Sequence, residues 1–174
     1  MIVIGIDPGT ATTGFAVIKT KIPKHLPQIK DEKPKVIDFG CILTPHYSKM
    51  EERLKIIHEE INKLIKKHKP DVISVESIYF FKNFKTAMPV SQAKGVILLA
   101  AAQKSIPIYE FTPLQVKMAI VGYGRAEKKQ VQEMTKQLFD LSDLDFKNKN
   151  RKKDDATDAL GIAFCAVLSN LRSV

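Results

Sequence analysis

Apolar runs that stop on a carboxylate constrain this chain more than any other feature. Met1-Ile2-Val3-Ile4-Gly5-Ile6 stops at Asp7, Val72-Ile73-Ser74-Val75 stops at Glu76, and Asp155 and Asp158 open the apolar segment Ala156 to Leu171. A short continuous apolar run reads as a strand buried on both faces. A charge at its end is costly unless it is paired or bound to a cation. The three-residue spacing of Asp155 and Asp158 puts them on one helix face, in a first turn whose dipole favours negative charge.

Each acid alone has a plainer explanation. Asp7 sits in Asp-Pro-Gly, which is turn chemistry, Glu76 could pair at the surface, and Asp155 and Asp158 could cap a helix. Together they supply four hard oxygen ligands from two strand ends and a helix start. That donor set suits Mg²⁺ or Mn²⁺, and the chemistry it implies is phosphoryl transfer.

Charge narrows the substrate. The 174 residues hold 28 Lys and Arg against 19 Asp and Glu, a formal charge of +9. A basic chain with a carboxylate cluster points to a polyanion whose phosphates meet lysines while cations shield the scissile group. Nucleic acid is the expected substrate class. With 44% hydrophobic residues, the expectation is one domain over residues 1–174 with a real core. Cys41 and Cys165 are far apart and lack a Cys-x-x-Cys spacing, so neither zinc nor a disulfide framework is expected. With no apolar stretch of membrane-spanning length and no signal-peptide pattern, the expected location is the cytoplasm, with no membrane partner.

Along the chain, strands are expected at 2–7, near Gly14 to Ile18 and near Val36 to Leu43. The lysine- and proline-rich Lys19 to Lys35 between them reads as a basic loop or frayed ribbon. Met50 to His68 reads as an amphipathic helix built on Leu54, Ile57, Ile61, Leu64 and Ile65, with His58 expected as a packed histidine and Pro70 as the stop. A strand at 72–75 precedes an aromatic loop and a helix Ser91 to Lys104 that is apolar nearly all round. That helix is either core or a subunit seam. Ile106 to Phe111 reads as a strand, Pro113 starts a short helix, Gly122 to Ala126 breaks it, Glu127 to Phe139 is helical and a last helix begins near Asp155. The sum is an α/β fold with a mixed sheet.

That order of strands and helices, with Asp on the first strand, Glu after the fourth and Asp on the last helix, resembles the ribonuclease H-like nucleases. Gly5-Ile6-Asp7-Pro8-Gly9-Thr10, Gln92-Ala93-Lys94-Gly95-Val96-Ile97, Gln115-Val116-Lys117, Val121-Gly122-Tyr123-Gly124-Arg125-Ala126-Glu127-Lys128 and Asp155-Ala156-Thr157-Asp158-Ala159-Leu160 resemble the RuvC family of Holliday junction resolvases. The resemblance runs in order over nearly the whole chain.

It implies a five-stranded mixed sheet flanked by helices, and a homodimer that nicks two strands of a four-way DNA junction symmetrically with Mg²⁺. A branch-migration motor is a candidate partner. Asp7, Glu76, Asp155 and Asp158 are the implied catalytic and metal-holding set. Two-metal chemistry places ions roughly 3.5–4 Å apart, with Asp7 expected to bridge both, Glu76 on the side of the attacking water, Asp158 on the leaving-group side and Asp155 completing that shell. Mn²⁺ is the alternative ion.

After Glu76, aromatics alternate with lysines, which suits bases stacking on rings while phosphates meet cations. By family position Tyr79 and Phe80 are expected at the opened crossover and Lys82 near the backbone, with Lys117, Arg125 and Lys128 on DNA near the scissile phosphate. Lys147, Lys149, Arg151, Lys152 and Lys153 form a basic run that is either solvated or ordered by DNA. Other readings are an actin-like ATPase lobe, a related nuclease of ribosomal RNA maturation, and a catalytically inactive junction-binding module.

Overall fold

The computed structural model describes residues 1–21, 33–77, 84–139 and 153–172. Its centre is a five-stranded sheet in the order β3-β2-β1-β4-β5, formed by β1 (Ile2–Asp7), β2 (Thr12–Lys19), β3 (Lys35–Leu43), β4 (Val72–Glu76) and β5 (Ile108–Phe111). β1, β2 and β3 form an antiparallel meander, whereas β4 and β5 run parallel to β1. The expected mixed sheet is therefore present.

Two helices cover one face, α1 (Met50–His68) and α2 (Phe84–Ala102). The other face carries α3 (Pro113–Val121), α4 (Lys128–Leu138) and α5 (Lys153–Arg172). Double coverage explains the unbroken apolar runs, because residues alternate between two faces that are both dry. On β1, Ile4 and Ile6 pack with Ile57 and Ile61 of α1 and Ile97 of α2. Val3 packs with Ala159, Ile162 and Ala163 of α5. Fully burying each such Ile stabilises the fold by about 1.5–3 kcal/mol.

The same alternation carries function. Val3, Gly5 and then Asp7 face α5, as do Val72, Ser74 and Glu76 of β4, so the two strand-end acids share a face by parity alone. Register aligns them, with Ile6 opposite Val75 on the parallel pair.

Three boundaries differ from expectation. α2 begins at Phe84 rather than Ser91 and contains Pro89. So near a helix start the missing N–H removes a single bond, to the Lys85 carbonyl, while many of the preceding donors have no helical acceptor anyway. β5 begins at Ile108, after Pro107, whose carbonyl still accepts from the Ile73 amide at 3.0 Å. α5 begins at Lys153, which moves Asp158 into the second turn. His58 is half-buried rather than packed; its Nε2 lies 3.3 Å from Gln103 Oε1 and 3.2 Å from Asn62 Nδ2, a polar link from α1 to the end of α2. Of the Lys19 to Lys35 segment, 22–32 lie outside the described residues.

Candidate active site

Close backbone approach builds the site. A Cβ on Gly5 would lie 2.2 Å from the Ala159 carbonyl oxygen, and one on Gly14 would lie 2.3 Å from that of Asp155. Glycine at both positions lets α5 settle directly on β1 and β2. Gly14 is also the residue paired with Asp7 across the β1–β2 ladder. The contact that admits α5 therefore sets Asp155 beside Asp7.

The result is a compact trio. Carboxylate oxygens of Asp7, Asp155 and Asp158 all lie within 4.8 Å of one another, and all three residues are half-buried. Glu76 stands beside the trio and lines a recess of about 270 Å³ with Asp158, Lys117, Lys128, Thr157 and Gly161. Four acids separated by up to 151 positions in sequence thus meet at one end of the sheet.

Their mutual repulsion is only partly balanced. Burial first, then the charges of Glu76, Asp158 and Asp155, push the Asp7 carboxyl from 3.8 to about 7, against a smaller opposing pull from Lys128. Burial and the Asp158 charge likewise push Glu76 from 4.5 to about 7, again opposed by Lys128. The Lys128 ammonium lies 3.1 Å from Asp158 Oδ2. Clustered oxygen donors with unbalanced negative charge suit a hard divalent cation, whose oxygen ligands sit at roughly 2.0–2.6 Å.

The turn after Asp7 is held by a hydroxyl relay. Thr13 Oγ1 donates to the Gly9 carbonyl at 2.6 Å. Thr44 Oγ1 donates to the Thr10 carbonyl at 2.5 Å and accepts from Arg53 Nε at 2.9 Å. A Cβ on Gly9 would collide with the Thr12 carbonyl at 2.2 Å. These supports were not singled out from the sequence. Threonines spaced around a Pro-Gly turn were the available signal, but Arg53 reads there as an ordinary helix charge.

The expected DNA-contacting residues divide. Tyr79, Phe80 and Lys82 lie outside the described residues, as do Lys147, Lys149, Arg151 and Lys152. Lys128 stands at the start of α4, on the rim of the acidic site. Arg125 is exposed on the α3–α4 connection. Lys117 lines the recess, but its Nζ donates to the Ala126 carbonyl at 2.8 Å, so it braces that connection. Gly122 caps α3 at φ +83°, a conformation glycine adopts at little cost.

Comparison with known proteins decides the lineage. The profile of the family described as crossover junction endodeoxyribonuclease RuvC matches residues 3–166. The chain belongs to the RuvC family. The RuvC of Halothermothrix orenii is 46% identical over 165 residues, covering 95% of this chain and 91% of that protein. The RuvC of Fusobacterium nucleatum is 44% identical over 169 residues, covering 97% and 81%. Among solved structures, Thermus thermophilus RuvC superposes with a TM-score of 0.80 at 28% identity, over 99% of this chain and 97% of that one. T. thermophilus RuvC in complex with a Holliday junction substrate gives 0.83 at 26% identity, over 99% and 96%. The fold is thus ribonuclease H-like, as the order of elements implied. RuvC nucleases are metal-dependent, which agrees with the acidic cluster.

Proposed function

We propose that this chain is a Mg²⁺-dependent endonuclease that resolves four-way DNA junctions in recombination and repair by paired symmetric nicks. The observation that carries the reading is the gathering of Asp7, Asp155 and Asp158 within 4.8 Å beside Glu76, in a chain of the RuvC family. Asp7, Asp155 and Asp158, joined by Glu76 from the neighbouring strand end, would hold the cation; Mn²⁺ has the same ligand preference. Bound there, such ions supply an activated water and offset charge developing on the leaving oxygen.

The protein's own groups do the rest. Asp7 and Glu76, raised to about 7 when metal-free, must give up their protons to coordinate, so cutting weakens as pH falls below neutrality. Lys128 brings positive charge to the rim, where a scissile phosphate can share it with Asp158. Lys117 fixes the connection before α4 through Ala126. Arg125, exposed on the α3–α4 connection, is proposed to add to the basic surface that meets DNA, and Tyr79, Phe80 and Lys82 are proposed to act on the opened crossover by stacking and backbone contact.

Symmetric nicking calls for two sites, and α2 offers the seam. Met88, Gln92, Gly95 and Leu99 are exposed at spacings of four, three and four, one stripe on a helix. A Cβ at Gly95 would have nothing within 4 Å. Two copies of α2 can approach closely along this stripe, giving a homodimer. Among the described residues no helix is long and apolar enough to cross a membrane. We assign the protein to the cytoplasm, where a branch-migration motor would deliver junctions.

The test is direct. Purified protein is incubated with a synthetic four-way junction, a linear duplex of the same sequence and a structured RNA, with and without Mg²⁺. Paired nicks confined to the junction and requiring metal support the proposal. Cutting of RNA alone would redirect it to RNA maturation, and tight junction binding without cutting would make this a binding module.

A further inference from the structure

Ser77 follows Glu76, and strand alternation turns it to the opposite face of the sheet, towards α2. Its amide donates to the Phe111 carbonyl at 2.7 Å, carrying the β4–β5 pairing one residue beyond Glu76. On that face Glu110 of β5 pairs with Lys94 of α2, Nζ to Oε2 2.5 Å. The Ser77 hydroxyl reaches the same carboxylate oxygen at 3.5 Å. Across the ladder, Glu110 is the partner of Val75 and Phe111 the partner of Glu76. The ion pair therefore grips the sheet directly beneath the strand end that delivers Glu76.

Its setting sharpens the point. Lys94 lies between the fully buried Ala93 and Ile97, and its side chain is only 15% exposed, against 43% for Glu110. A charge-assisted bond shielded on one side is stronger than an exposed surface pair. The core on this face is already made by Ala93, Ile97, Ala100 and Ala101 against β1 and β4. A long lysine crossing to β5 adds a directional tie that apolar packing cannot.

We propose that Lys94 and Glu110 are positioning residues for the reaction, fixing the pitch of the β4 end, and with it the Glu76 carboxylate, against α2. The proposal rests on the assignment of Glu76 to the reaction centre. Through α2, the same tie links the proposed subunit seam to the site.

The test compares Lys94→Met, Glu110→Gln, Lys94→Arg and the charge swap Lys94→Glu/Glu110→Lys. We expect Lys94→Met and Glu110→Gln to cut a four-way junction about 10- to 100-fold more slowly at saturating DNA, with unchanged junction affinity. Mn²⁺ binding, followed by electron paramagnetic resonance, should weaken in both, and hydrogen exchange at the Ser77 amide should accelerate. Lys94→Arg should behave as wild type, and the swap should recover most of the rate. Wild-type cutting by the two single variants overturns the proposal, as does a loss of rate with Ser77 exchange and Mn²⁺ binding unchanged. If wild-type protein cuts no junction, the functional reading fails, while the exchange and Mn²⁺ measurements still decide whether the tie positions Glu76.

Discussion

Replacing Asp7 by Asn should stabilise the metal-free protein while abolishing its activity. Asp7 titrates near 7 in the folded chain against 3.8 for an unperturbed carboxyl, so between those values the folded state holds the proton more tightly than the unfolded state. Stability from this group is complete below about pH 4 and is lost as pH rises through 7. At about 1.4 kcal/mol per pH unit over roughly three units, the full loss is about 4 kcal/mol by pH 8. Asn removes the charge, and with it the repulsion between Asp7 and Glu76, Asp158 and Asp155. We expect a gain of about 2–4 kcal/mol at pH 8, a rise in Tm of about 5–15 °C for a chain of this size, and little difference at pH 4. The assay is thermal unfolding in chelator across that pH range, repeated with Mg²⁺. Added Mg²⁺ should stabilise wild type and leave the Asn variant almost unmoved. Equal or lower stability of the metal-free Asn variant at pH 8 would refute the reasoning.

Three further outcomes follow from the same geometry. Gly14→Ala forces a Cβ against the Asp155 carbonyl, so α5 must lift; a cost of about 1–3 kcal/mol in denaturant unfolding should accompany weakened Mg²⁺ binding in calorimetry. Lys128→Met removes the cation beside Asp158, so Mg²⁺ should bind at least as tightly while single-turnover cutting falls by about 100-fold; weaker Mg²⁺ binding would mean that the lysine organises the acids. Leu99→Glu places a charge on a residue 52% exposed along the α2 stripe. Sedimentation equilibrium should then find monomers, and nicks should cease to be paired.

Much of this was legible in the sequence because strand parity and helix spacing are local. Asp7 and Glu76 share a face because each ends an alternating strand, and Asp155 and Asp158 share one because they lie three apart on a helix. What brings the two sets together was not legible. It depends on Gly5 and Gly14 admitting α5, and a glycine in a strand reads equally well as a bulge or a weak point. The start of α2 was not legible, because proline is disfavoured inside a helix, yet α2 runs through Pro89 from Phe84. The bond from Lys117 to the Ala126 carbonyl was not legible either, because it joins α3 to the connection before α4 and neither residue carries a local signal of the other. The Lys94–Glu110 tie spans α2 and β5, 16 positions apart, and neither charge has a local pattern that marks its partner.

The central claim is that acids remote in sequence form one divalent-cation site. Crystals grown with Mn²⁺ and measured at its absorption edge test it most directly. Anomalous density among the carboxylates of Asp7, Asp155 and Asp158, joined by Glu76, is the predicted result. Protein that cuts junctions with Mn²⁺ but shows ordered Mn²⁺ elsewhere, and none among these oxygens, would contradict it.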